Sequence, residues 1–356
     1  LINSNQAFVP EMIGFTPPGG VYTHIAGIDL VRTQENEFYV LEDNVRTPSG
    51  VSYMLENRET MLEIFPELFS INKVKSVTEY PLRLLNSLIE SSPTKQDSPV
   101  VSVLTPGSHN SAYFEHSFLA DQMGVELIEG HDVRIIDGSI AMRTTQGYKR
   151  VDILYRRIDD HYIDPLTFKS DSLLGIPGLM DIYKSGSVTL ANAPGAGVAD
   201  DKAIYSFMPE IIKFYMGEEP LLKNVETWRC ADKNQLKYVL ENLNSLVIKE
   251  VHGSGGYGML IGPTASKKEL ETFRNKLIKK PHNYIAQPLL SLSTVPILKQ
   301  AGLAPRHVDL RPFILVSPKE VYVTPGGLTR VALKRGSVVV NSSQGGGTKD
   351  TWVLED

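Results

Sequence analysis

The chain has 356 residues, 42% hydrophobic and 22% charged, enough for two or three substructures that share an interface. A net charge of −5 and a pI near 6.0 leave no global basic field, so nucleic acid and anionic membrane surfaces are not expected partners. The one cysteine, Cys230, excludes an intramolecular disulfide and an all-cysteine metal site, and suits a reducing cytoplasm.

Three zones follow along the chain. Residues 1–98 open with the turn-rich TPPGGVYTH, which leads to a strand around Glu37–Leu41. Tyr53–Phe65 and Val77–Ile89 then have helical apolar spacing, and PTKQDS reads as a linker. Residues 99–195 begin with a short apolar strand at Val100–Leu104. Ser111 is placed to cap a helix that stops at Gly124, and Val125–Ile128 resumes as a strand, a βαβ rhythm that predicts a parallel sheet. Asp137-Gly138 inside Arg134–Met142 signals a hairpin turn, and Val151–Tyr155 is a further strand. Residues 196–356 start with a helix from Asp201 to about Met216. Strands then alternate with glycine-rich turns, with a helix at Lys267–Ile278. No apolar run nears the roughly 20 residues of a membrane span. The start at Leu1 rather than Met points to a natural N-terminus further upstream.

Gly253-Ser254-Gly255-Gly256-Tyr257-Gly258 matches GxGxxG. A dinucleotide-binding turn needs a helix directly after the glycines, but Met259-Leu260-Ile261-Gly262 looks like a returning strand. A P-loop needs a terminal Gly-Lys-Ser/Thr, which is absent. There remains a β-hairpin whose glycine tip lays backbone N–H groups over phosphates, or a plain flexible hairpin. A protein kinase places its lysine on the following strand, whereas Lys249 here precedes the loop, and no HRD or DFG follows.

At the front of the chain, Glu42 and Asn44 lie two apart on an extended strand and point to one face. Asp29, 13 residues before Glu42, can sit opposite on an adjacent strand. Mg2+ takes oxygen ligands, usually one or two carboxylates with phosphate oxygens and water, so this pair could hold it. A polar hairpin with an Asx turn is the competing reading.

A lysine leading into a glycine hairpin, and Asp-x12-Glu-x-Asn followed by Pro48-Ser49-Gly50, together resemble ATP-grasp ligases. In ordinary members the metal carboxylates follow the hairpin; here they precede it by roughly 200 residues. The chain therefore resembles the circularly permuted ATP-grasp family related to glutathionylspermidine synthase. HIAGIDLVR, FYVLEDNVRTPSGVSYMLENRE, LYRRIDDHYIDPL, DDKAIYSFMPEIIKFY, DLRPFILV, PGGLTRVAL and SSQGGGTKDTWV carry the likeness.

The resemblance implies an α+β, circularly permuted ATP-grasp fold. Residues 1–98 would carry the metal-binding strands and 99–195 an inserted α/β, pre-ATP-grasp-like domain. Residues 196–356 would form the nucleotide-binding part. It implies ATP and Mg2+, or Mn2+, as cofactors. Lys202, Lys249, Gly253, Ser254, Gly255, Gly256 and Tyr257 would bind phosphates, and Gln287 and Leu289 would flank the adenine hinge. Asp29, Glu42 and Asn44 would hold metal, and Arg311 and Arg330 would stabilise the transferring phosphoryl group. Members usually carry an additional N-terminal segment. Many also have an arginine two before the metal aspartate, where this chain has Gly27; Arg32, or Arg311 with Arg330, would replace it. In YRRIDD, Arg156, Arg157, Asp159 and Asp160 would bind a carboxylate or an amine, or form a solvated loop. Asn341 would face the metal or end a strand.

The activity implied is carboxylate–amine ligation through an acyl-phosphate, with a small-molecule or peptide carboxylate and an amine acceptor. Two rival readings are a small-molecule kinase and a non-catalytic nucleotide-binding module.

Overall fold

The computed structural model describes residues 1–355 apart from 34, 95, 254–257, 301, 333, 338–339 and 341–345. The largest sheet runs in the order Lys223–Asn224, Phe38–Asn44, Ile25–Arg32, Gly302–Arg311, Leu328–Val331, Gly347–Asp350. Ile25–Arg32 (IAGIDLVR) is apolar at nearly every position and buried except at Ile28, which is partly buried, and at its last residue, as suits a central strand. On one side it pairs antiparallel with Phe38–Asn44. On the other it meets Gly302–Arg311 at Leu30 and Phe313–Val316 at Ile25–Gly27. Pro312 lies between those two strands; it has no N–H to give a ladder, and DLRPFILV, which reads as one strand, breaks there.

A second sheet, Glu126–Ile128, Val101–Leu104, Ile153–Arg156, Thr189–Ala191, is parallel throughout. The βαβ rhythm predicts this, and the helix Tyr113–Met123 ends at Gly124 in the left-handed region, φ +66. The helix start differs: no side chain caps it, and Asn110, not Ser111, accepts from the Ala112 N–H in a preceding turn. The hairpin Val133–Ile136/Ser139–Thr144 turns at Asp137 and Gly138, both at positive φ.

The third sheet, Trp228–Arg229, Tyr284–Pro288, Leu246–Glu250, Leu260–Ile261, is covered by helices Lys233–Glu241 and Lys267–Lys279. Cys230, Val239, Ile248, Leu277 and Ala286 form its own core. The expected helix from Asp201 is two helices, Lys202–Tyr205 and Met208–Met216. Pro209, tolerated in a first turn and not in a helix interior, opens the second.

The parallel sheet does not stand apart from the large one. Val103 and Ile153 share one core with Ile25, Phe313 and Leu328 of the large sheet and with Met54 and Leu84 of helices Val51–Ile64 and Tyr80–Glu90. Asn192, just past the Thr189–Ala191 strand, accepts from the N–H groups of His24 (2.7 Å) and Ile25 (2.9 Å). Its amide also donates to the carbonyls of Ile25 and Val45. One side chain thereby staples both strands that carry the candidate metal residues. Among the described residues no helix is long and apolar enough to cross a membrane.

Candidate functional site

Asp29 stands directly across from Glu42, and Gly27 across from Asn44, so the four positions share one face of the strand pair. Asp29 is only 1% exposed. Arg311 grips it with Nε and Nη2, the latter at 2.8 Å, and Arg330 Nη2 donates to Oδ2 at 2.6 Å. Arg330 also forks onto Asp309, directly opposite it on the neighbouring strand, at 2.8 and 2.6 Å. Burial would raise the Asp29 pKa, but the two guanidiniums hold it below the usual carboxylate value. Burial pushes Asp309 up to about 6 against the pull of Arg330. Arg330 itself is held charged, since Asp29 and Asp309 outweigh the cost of its burial. Buried ion pairs are expensive to desolvate and add little stability, so two arginines fixed this way suggest a task beyond folding.

Gly27 gains a reason here. A Cβ at this position would meet Arg311 Cδ at 3.1 Å and Pro48 Cβ at 3.3 Å. The Arg311 stem lies over the place where an arginine at 27 would start, and Arg311 supplies the guanidinium. Arg32 is exposed at the strand end and takes no part in this cluster.

The second group comes from the smaller antiparallel sheet. Leu246–Glu250 and Leu260–Ile261 form the hairpin, with Ile248 opposite Leu260, so the segment after the glycines is a returning strand. Lys249 Nζ donates to Gln287 Oε1 at 2.7 Å, and Gln287 Nε2 donates to Thr227 Oγ1 at 2.9 Å. Burial pushes the Lys249 ammonium down to about 8, with Lys202 adding to the fall and Glu42 and Asp29 opposing it. Lys202 begins its helix behind Asp201, whose carboxylate accepts from the Ala203 and Ile204 N–H groups. Lys202 Nζ reaches Glu42 Oε2 at 3.0 Å and donates to the Gly253 carbonyl at 2.7 Å. Leu289 follows the Tyr284–Pro288 strand where the chain crosses to the large sheet; Leu292 then bridges Thr33. Ser254, Gly255, Gly256, Tyr257 and Asn341 lie outside the described residues.

The fit to Mg2+ is uneven across the expected ligands. Both oxygens of Asp29 already carry guanidinium partners, so it acts here as counter-ion to Arg311 and Arg330. Glu42 has a single partly exposed partner in Lys202, and among the described residues the buried Nδ2 of Asn44 has no hydrogen bond. A carboxylate and an amide on one face suit a cation that takes its remaining oxygens from phosphates and water.

YRRIDD divides between core and cavity. Arg156 is buried; it donates to the carbonyls of Asn192 (2.6 Å), Ile158 (2.8 Å) and Ala193 (3.2 Å) and pairs with Asp160 at 2.6 Å. Arg157 is turned inward onto Pro48, Ser49 and Glu115. The expectation that these two arginines meet substrate is corrected: their guanidiniums are spent inside the protein. Asp159 and Asp160 line a cavity of about 290 Å³ that also touches Glu42, Asp43, Asp200 and Lys202. Asp159 pairs there with Arg46 at 2.9 Å, both partly exposed. Burial and mutual repulsion push Asp43 up to about 6; Asp200 also rises to about 6, mainly through burial.

A model of the circularly permuted ATP-grasp type 2 family matches residues 1–332. The chain belongs to that family. In this circularly permuted ATP-grasp protein the carboxylate strands precede the lysine–glycine hairpin in sequence yet meet it in space, through Glu42, Lys202 and Gly253. The Synechocystis protein sll0335 is 56% identical over 355 residues, which cover 100% of this chain and 74% of that protein. Mycobacterium tuberculosis Rv2411c is 53% identical over 354 residues, covering 99% of this chain and 64% of its own length. A Frankia alni protein provisionally named glutamate–cysteine ligase 2-3 is 42% identical over 330 residues, 92% of this chain and 38% of its own. The chain thus spans less than two thirds of the mycobacterial and Frankia relatives. A glutathione synthetase-like effector, GSS30 from Globodera pallida, solved in its apo form, shares the fold. Its TM-score is 0.61 at 12% identity, over 97% of this chain and 79% of that one.

Asp309 and Asn192 are the site residues that sequence reading passes over. Asp309 had a signal: Asp-x-Arg on a strand puts Asp309 and Arg311 on one face. Asn192 had none, because its role depends on contacts to residues well over 100 positions away.

Proposed function

We propose that the chain is an ATP-dependent carboxylate–amine ligase, joining a small-molecule or peptide carboxylate to an amine. One observation carries the reading: Lys202 and Lys249 on one side, and Arg311 and Arg330 on the other, are gathered around the Asp29/Glu42 strand pair. Four cations around three carboxylates, Asp309 included, make a preorganised receptacle for a polyphosphate.

Lys202, Lys249 and the backbone around Gly253 bind the ATP phosphates, and the 287–289 segment lies beside the adenine. The hairpin tip, Ser254 to Tyr257, is assigned to phosphate binding as well. Glu42 and Asn44 would hold Mg2+, or Mn2+, which when bound would neutralise phosphate charge; Asp29 would join them only if its arginines let go. The substrate carboxylate displaces ADP from the γ-phosphoryl group, giving an acyl-phosphate. Arg311 and Arg330 stabilise the charge on the transferring group. The amine then displaces inorganic phosphate and forms the amide. Asp159 and Asp160 face the cavity next to Glu42, whose acidic lining suits an ammonium-bearing acceptor. The relative named as a glutamate–cysteine ligase and the glutathionylspermidine synthase resemblance agree with an amino-acid or peptide carboxylate.

The test is ADP release across a panel of amino acids, peptides and polyamines, with Glu42→Ala as the blank. Release that needs both a carboxylate and an amine, and is lost in Glu42→Ala, supports the ligase. A stable phosphorylated product formed without any amine would make it a kinase. Tight ATP binding with no ADP release under any acceptor would make it a binding module.

A further inference from the structure

The Pro48-Ser49-Gly50 turn joins the phosphoryl-handling arginine to the parallel-sheet unit. Arg311 uses Nε and Nη2 on Asp29, and its remaining terminal nitrogen, Nη1, donates to the Ser49 carbonyl at 3.0 Å. That carbonyl sits between groups fixed from the other unit. Arg157 Nη1 donates to the Pro48 carbonyl at 2.7 Å, and Arg157 Nη2 donates to Ser49 Oγ. Glu115 Oε2 accepts from the Gly50 N–H at 2.6 Å, the Ser52 N–H at 3.2 Å and the Ser52 hydroxyl at 3.0 Å. Arg157 and Glu115 are also paired at 3.1 Å, and both are at least 95% buried.

Gly50 makes the tight turn possible. Its φ is +114, and a Cβ there would stand 2.8 Å from Leu328 Cδ2. Arg157 follows the Ile153–Arg156 strand and Glu115 lies in the helix Tyr113–Met123, so both belong to the parallel-sheet unit. The path Asp29–Arg311–Ser49–Arg157–Glu115 runs without a break from the strand pair into that unit.

We propose that Arg157 and Glu115 are positioning residues for phosphoryl transfer: they lock the 48–50 turn so that the Ser49 carbonyl holds the Arg311 guanidinium in its transfer geometry. The inference rests on the ligase reading for the role of Arg311. A planar guanidinium can serve Pro48, Ser49 and Glu115 together because its N–H groups are set in a fork, which a lysine ammonium lacks.

The test uses Arg157→Lys, which keeps a charge beside Glu115, and Ser49→Ala, which removes one anchor and leaves no buried charge unpaired. The readouts are kcat and KM for Mg-ATP, the unfolding midpoint, and the affinities for ADP and a non-hydrolysable ATP analogue. Arg157→Lys should lower kcat by about tenfold or more with KM within about twofold, since a misplacement near 1 Å can cost that much. Its preference for the triphosphate analogue over ADP should fall by about fivefold while ADP affinity holds, because the ligase reading gives Arg311 to the transferring group alone. Ser49→Ala should show both changes at smaller size. An unchanged kcat and an unchanged analogue-to-ADP ratio in folded Arg157→Lys would overturn the proposal; if that variant does not fold, the same result in Ser49→Ala would. If the wild-type chain releases no ADP with any acceptor, the ligase reading fails, and the affinity ratio still decides whether the clamp exists.

Discussion

Asp29 and Glu42 face each other across two paired strands, yet they hold opposite ends of the site: Asp29 fixes Arg311 and Arg330, and Glu42 holds Lys202. The two carboxylates should therefore fail differently. Asp29→Asn takes the carboxylate from Arg311 and leaves Arg330 with Asp309 alone, both guanidiniums being largely buried, and should cost about 3 kcal/mol of stability, read as a lower denaturant midpoint. Glu42→Ala should change stability by no more than about 1 kcal/mol, because the Glu42–Lys202 pair is partly exposed, and should abolish Mg2+-dependent ADP release.

Gly27→Ala tests the room left for Arg311. The added methyl would stand 3.1 Å from Arg311 Cδ, closer than most contacts allow, so the stem must shift. A drop in kcat of about tenfold with little change in KM for ATP is expected, since the displaced group acts on the transferring phosphoryl. Equal kcat values in Gly27→Ala and wild type would remove Arg311 from that role.

Lys249 gives the site a pH dependence. Its ammonium titrates near 8 in the free protein, and bound polyphosphate must raise that value. Both states are protonated below pH 8, so Lys249 adds no pH dependence to ATP affinity there. Above pH 8 the free protein loses the proton that the complex keeps, and affinity should fall by about tenfold per pH unit. Lys249→Ala should bind ATP weakly at every pH and show no such break. A titration of Kd for ATP between pH 6.5 and about 9.5 reads both.

Cys230 is fully buried in the core of the Lys249 sheet, and burial pushes its thiol up to about 12. Iodoacetamide at neutral pH should leave it unmodified and turnover unchanged, because the thiolate is the reactive form. Rapid alkylation with loss of turnover would contradict the proposed mechanism, which uses no covalent nucleophile.

The elements legible in the sequence were those set by local rules. Gly124 ends its helix, Asp137-Gly138 turns its hairpin, and the Asp29–Glu42 spacing puts the two residues in register across their strands. The misreadings came from contacts distant in the chain. Arg156 and Arg157 look like surface charges in YRRIDD, but their partners at Asn192, Pro48 and Glu115 lie 36 to 109 residues away and draw them inside. The spacing of Asp29 and Glu42 says nothing of Arg311 and Arg330, 282 and 301 residues on, which pair with the Asp29 oxygens.

The most direct measurement of the central claim uses a carboxylate substrate found in the ADP-release panel, labelled with 18O in its carboxyl group. Transfer of the γ-phosphoryl group to that carboxylate, followed by amine attack, places one labelled oxygen in each inorganic phosphate released, with ADP formed in equal amount. Release of phosphate without label, while the amide keeps all the carboxyl oxygen it can hold, would contradict an acyl-phosphate and with it the roles given to Arg311, Arg330 and Glu42.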